Sequence, residues 1–144
     1  MKAILDTNLY ILLLTPSPER EAVEGYLHRP DFQLYLCSIV AQELMAGALG
    51  RHGERFYERY FRPYERAGRL VSPTYRDWVE AGRIQARLFQ QRRDLKDLIP
   101  SLISDILIAL CGLRIGAVVY TLNKEDFALL HSVKPFRFHV PSLS

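Results

Sequence analysis

The chain has 144 residues, 49% hydrophobic and 24% charged, which suits one globular domain with a real core and excludes a low-complexity or disordered polymer. Two cysteines without CxxC spacing and four histidines without an HxxxH pair exclude a disulfide-stapled scaffold and a histidine-built zinc site. The net charge of +3 is uneven: Arg51 to Arg93 carries eleven arginines against five acids, hence +6, and the remainder carries −3. Such a division suits an anionic partner on one part and a bound cation on the other.

In chain order, Lys2–Leu5 is short and rich in Ile and Leu, as expected of a strand buried on both faces of a parallel sheet. The apolar run reaches Leu14 but is broken by Asp6, Asn8 and Tyr10, is too short to cross a bilayer, and has no basic leader or cleavage site; a cytoplasmic protein is expected. Ser17 and Pro18 mark the N-cap and first residue of a helix that stops before Pro30. Leu34–Cys37 reads as a strand and Ile39–Leu49 as a helix capped by Ser38 and closed by Gly50. Glu54–Ala67 is helical, with Pro63 kinking or dividing it. A strand at Leu70–Ser72 precedes a helix over Tyr75–Arg92, in which Tyr75 and Trp78 read as packing residues. Leu102–Leu113 is a buried helix, followed by a strand at Ala117–Tyr120, a short helix from Phe127 and a strand at Phe136–Val140. This rhythm predicts an α/β fold over residues 1–144, a mostly parallel central sheet with helices on both faces.

Four acids interrupt apolar sequence where strands end or helices begin: Asp6, Glu43, Asp105 and Asp126. Each has an ordinary explanation. Asp6 would accept backbone N–H groups of a turn, Glu43 would form an ion pair, Asp105 would complement a helix dipole, and Asp126 would cap the helix starting at Phe127. The other reading gathers them in the crevice beyond the carboxyl ends of the strands, where open α/β sheets bind ligands. Carboxylates sharing a pocket repel one another unless a cation holds them. Oxygen donors alone suit Mg²⁺ or Mn²⁺ rather than Zn²⁺.

The segments LDTN, SIVAQEL, SDILIA and YTLNKEDF, in that order across nearly the whole chain, resemble the PIN-domain family, and within it the VapC-type toxins of prokaryotic toxin–antitoxin pairs. The resemblance implies a single-domain three-layer PIN-like fold and a metal-dependent endoribonuclease. Asp6, Glu43 and Asp105 would be the core acids and ligands of Mg²⁺ or Mn²⁺. The metal would polarise the phosphodiester and activate a water. Many members carry Asp where this chain has Asn123, so the fourth catalytic position falls to Asn123 or Asp126. Thr7, Asn8, Ser38, Thr121 and Asn123 would support the acids. The partners implied are an RNA substrate, a small antitoxin protein and a second copy in a homodimer.

Arg51, Arg55, Arg59, Arg62, Arg66 and Arg69 step by three or four and share one helical face, interleaved with Phe56, Tyr57, Tyr60, Phe61 and Tyr64. This is either a solvated basic face over an aromatic core face, or a surface on which Arg55, Arg59, Arg62 and Arg66 meet RNA phosphates or a protein partner while exposed tyrosines stack on bases. Two other functions are weighed. A haloacid-dehalogenase-type phosphatase needs a second Asp where Asn8 stands, and an inactive RNA- or protein-binding module would be consistent with Asn123.

Overall fold

The computed structural model describes residues 1–47 and 52–143. At its centre β1 (Lys2–Leu5) pairs in parallel with β2 (Gln33–Cys37) on one side and β4 (Val118–Tyr120) on the other. β3 (Leu70–Val71) and β5 (Phe138–His139) extend the two edges, also parallel, giving the order β3-β2-β1-β4-β5. The chain therefore steps outward from β1 to β3, then crosses back past β1 to β4 and β5. Right-handed crossovers put the helices of these two legs on opposite faces, and the reversal makes the carboxyl ends of β1 and β4 the switch point of the sheet. Ala3, Ile4 and Leu5 lie opposite Val118, Val119 and Tyr120, and the Asp6 N–H donates to the Tyr120 carbonyl at 2.8 Å. Asp6 and Thr121 consequently leave the sheet side by side.

The first helix, α1 (Thr7–Ile11), starts directly after Asp6 and ends in a 3₁₀ turn at Leu12–Leu14. The sequence reading placed no helix here, because Leu9 to Leu14 continues an apolar run whose periodicity does not separate strand from helix. α2 (Pro18–Leu27) begins as expected, with Ser17 accepting the Arg20 N–H. α3 (Ser38–Gly47) includes Ser38 as its first residue rather than its cap, and the expected end at Leu49 and Gly50 lies outside the described residues, as does Arg51.

The predicted Glu54–Ala67 helix is divided into α4 (Gly53–Phe56), a π-helical turn at Tyr57–Phe61 and α5 (Arg62–Ala67). Pro63 offers no N–H to the preceding turn, so the ladder widens there instead of breaking at the proline. α6 (Tyr75–Gln91) opens on a capping box between Thr74 and Asp77. Its buried stripe is Asp77, Ala81, Ile84 and Leu88. Tyr75 and Trp78 fall off that stripe and are 82% and 52% exposed, which corrects their reading as packing residues.

α7 (Ile103–Ile115) is buried along most of its length and stops at Gly116, which adopts φ 73°. α8 (Lys124–Val133) starts earlier than expected, so Asp126 lies inside its first turn and is not its cap. β5 is shorter than the expected Phe136–Val140: Phe136 turns its ring into the core against Phe127, and Pro141 lacks a ladder N–H. Cys37 and Cys111 are free and buried, and although far apart in sequence they neighbour each other. No helix among the described residues is long and apolar enough to cross a membrane.

α7 lies against β1 and β4 through Gly112, where an added Cβ would sit 2.9 Å from the Val119 side chain. Gly112→Ala should therefore lower the urea midpoint. Overpacking against the fully buried Val119 costs roughly 1–3 kcal/mol, more than the gain of about 1 kcal/mol in helix propensity. An unchanged midpoint would mean that α7 shifts freely on the sheet.

Candidate active site

The acids that the sequence scatters over four segments come to the switch point in two linked pairs, Asp6 with Glu43 through Thr7 and Asp105 with Asp126 through Asn123. Asp6 is 4% exposed and serves as N-cap of α1. Its Oδ1 accepts the Thr7 N–H at 2.8 Å, and its Oδ2 accepts the Thr121 hydroxyl at 2.7 Å and the Asn8 amide at 3.3 Å. Thr121, fully buried after β4, also receives N–H bonds from Asn8 and from the Asn123 backbone, at 3.3 and 3.0 Å. The Asn8 side-chain Oδ1 accepts the Leu122 N–H at 3.2 Å. One compact polar knot thus ties the end of β1 to the end of β4.

Glu43, half-buried on α3, joins through the Thr7 hydroxyl, which donates to its Oε1 at 2.8 Å. Asp105 occupies the first turn of α7 and Asp126 the first turn of α8, both half-buried. The Asn123 amide donates to both, at 3.1 Å to Asp105 and 3.0 Å to Asp126. This double donation was not foreseen from the sequence; the spacing of Asn123 and Asp126 across one helical turn is the signal that it left. Ser38 lies exposed at the start of α3 and donates to none of the acids.

The charges feel one another. Burial pushes the Asp105 carboxyl up to about 7, and the neighbouring charges of Asp6, Asp126 and Glu43 push the same way against the Asn123 hydrogen bond. Asp6 is also raised above the usual carboxylate range, first by burial; Thr121, Thr7 and Asn8 hold it down while Glu43 pushes it up. The donors are oxygens alone, which suits a hard divalent cation in kind. In spacing they are not drawn together: among the described residues no three His, Cys, Asp or Glu side chains form a group that could hold a metal ion as they stand. Thr7 engages Glu43 and Asn123 engages Asp105 and Asp126 instead.

The basic helices lie elsewhere in character from what the exposed-tyrosine reading required. Phe56, Tyr60, Phe61 and Tyr64 are buried, and the Tyr10 and Tyr64 hydroxyls meet at 2.7 Å inside the core. Arg62 is bound to Glu58 and Glu65 and stacks on Tyr57, which itself bonds Glu65; Arg59 faces Glu24 at 3.7 Å and lies over Tyr60. Arg55 and Arg66 are exposed.

The fold is an open parallel sheet with acids at its switch point. A family model described as PIN domain matches residues 3–130, and the chain belongs to the PIN-domain family. Its structure resembles FitAcB from Neisseria gonorrhoeae, with TM-score 0.70 and 22% identity over 96% of this chain and 97% of that one. It also resembles VapBC2 from Rickettsia felis bound to a DNA fragment from its promoter (0.64, 18%, 99% and 100%). VapBC-1 from nontypeable Haemophilus influenzae is similar too (0.60, 23%, 96% and 97%). At these identities the likeness is one of fold. No curated protein matches the chain.

Proposed function

We propose that the chain is a divalent-metal-dependent endoribonuclease, the toxin of a toxin–antitoxin pair. The observation that carries the reading is the placing of four carboxylates at the sheet's switch point, Asp6 and Glu43 joined through Thr7 and Asp105 and Asp126 through Asn123, an arrangement that a stable fold tolerates when a cation is to be received there. The VapBC and FitAcB relatives support the toxin role and a small protein antitoxin as partner.

Asp6 and Asp105 would hold Mg²⁺ or Mn²⁺, with Glu43 as third ligand or as the group that orients the attacking water. Bound metal would supply charge to the phosphoryl oxygens and a more acidic water. The remaining work belongs to the chain. Thr121 and the Thr7 N–H fix both oxygens of Asp6, and the Thr7 hydroxyl aims Glu43. Arg55 and Arg66 are exposed and form no ion pair among the described residues, and are better placed to meet RNA phosphates than Arg59 and Arg62. A homodimer is part of the proposal, and an inactive binding module is the alternative, favoured by the absence of a ready-made metal group among the described residues.

The decisive experiment is cleavage of mixed RNA by the purified chain in Mn²⁺, in Mg²⁺ and in chelator, beside Asp6→Asn. Cleavage in either metal that vanishes with chelator and in the variant is expected. Persistence of cleavage in Asp6→Asn, once contaminating nucleases are excluded, would overturn the assignment. Production of the wild-type chain alone should also slow growth of a susceptible cell, whereas production of Asp6→Asn should not.

A further inference from the structure

Asn123 stands at the N-cap position of α8, where an Asn side chain ordinarily accepts an N–H from the helix's first turn. Here it makes no capping bond. Its amide nitrogen instead donates to Asp105 Oδ2 at 3.1 Å and to Asp126 Oδ2 at 3.0 Å. The orientation is fixed by its neighbours, since the reversed amide would point its carbonyl at two carboxylates. The backbone of the same residue is held by Thr121, the hydroxyl that also holds Asp6. A favourable cap has been given up for a bridge between two acids from different helices.

We propose that Asn123 is a positioning residue: a neutral clamp that holds Asp126, in the first turn of α8, against Asp105 in the first turn of α7. An aspartate at this position would add a charge to the four carboxylates of Asp6, Glu43, Asp105 and Asp126. The amide, with two N–H groups and no charge, relieves their repulsion and sets the facing distance of the pair. The clamp deepens the nuclease reading, on which its second consequence rests: a cation entering the cluster meets Asp105 and Asp126 already oriented.

Two measurements on the full chain separate the clamp from the nuclease reading. In chelator, thermal melts of wild type, Asn123→Ala, Asp126→Asn and the double variant form a cycle. Asn123→Ala should melt lower by roughly 3 °C or more, and adding Asp126→Asn should restore most of the loss, because the unbridged repulsion is then gone. Additive effects of the two changes would overturn the clamp, with no metal involved. In the second measurement, calorimetric titration with Mn²⁺ should give roughly tenfold weaker binding for Asn123→Ala, and Asp126→Asn should cost nothing further in that background. If the wild type takes up no Mn²⁺, the nuclease reading fails while the chelator cycle still decides the clamp. Undiminished Mn²⁺ binding by Asn123→Ala would overturn the clamp's role toward the cation.

Discussion

In chelator, the Asp105→Asn variant should melt above the wild type at pH 8 and together with it at pH 4. The folded-state carboxyl is raised to about 7 from an ordinary 3.8. Between those values the folded chain keeps a proton that the unfolded chain has released, so wild-type stability falls as pH rises through that window and stays low above it. That difference corresponds to roughly 4 kcal/mol. Solvent around the half-buried side chain screens part of this, leaving on the order of 2 kcal/mol, or about 5 °C in melting temperature. The amide keeps the shape and removes the charge, so it recovers that loss above pH 7 and changes little near pH 4, where Asp105 is already neutral. Melting curves from pH 4 to 8 test this directly; a variant parallel to the wild type over the whole range would show that Asp105 carries no such strain.

The same variant should lose what metal gives. At a free concentration near a hundred times its dissociation constant, Mn²⁺ should stabilise the wild type by about 2.7 kcal/mol. Asp105→Asn and Asp6→Asn should each forfeit most of this, together with RNA cleavage. The two variants should differ in chelator, however. Asp6→Asn also weakens charge-assisted bonds from Thr7, Thr121 and Asn8, so its relief of repulsion is offset and it should gain less than Asp105→Asn. Equal metal-induced shifts in wild type and variants would place cation binding elsewhere on the chain.

Much of the fold was legible because its signals are local. Ser17 and Pro18 announce α2, Gly116 stops α7, and the alternation of apolar runs with helical stretches gives a parallel sheet. The order of the four acid-bearing segments led to the family. What could not be read depends on contacts between segments. For Asp6, turn acceptor and cluster acid were set against each other, yet the side chain does both, because the register of β1 with β4 brings Thr121 to an oxygen that the turn leaves open. Asp126 was weighed as a cap, whereas α8 begins two residues before it, at Lys124, and Asn123 claims its carboxylate. Of the arginine face, Arg55, Arg59, Arg62 and Arg66 are helical, Arg69 follows the helix end and Arg51 lies outside the described residues; its available charge is smaller than the sequence suggests, since Glu24, Glu58 and Glu65 return to meet Arg59 and Arg62. Tyr75 and Trp78 show the limit of reading aromatic residues as core: the hydrophobic stripe of α6 passes beside them.

The Thr121 hydroxyl also decides where a proton can reside. It already receives two N–H bonds, from Asn8 and Asn123, so its own hydrogen must point to Asp6. The other Asp6 oxygen faces the Thr7 N–H. Both oxygens therefore look at donors, and a proton placed on either would face another hydrogen. Asp105 has one oxygen toward Asn123 and, among the described residues, no donor at the other. A proton taken up by the cluster near neutral pH accordingly goes to Asp105 before Asp6. Thr121→Val would narrow that asymmetry by removing one of the three donors that Asp6 has, while Thr121→Ser would keep it.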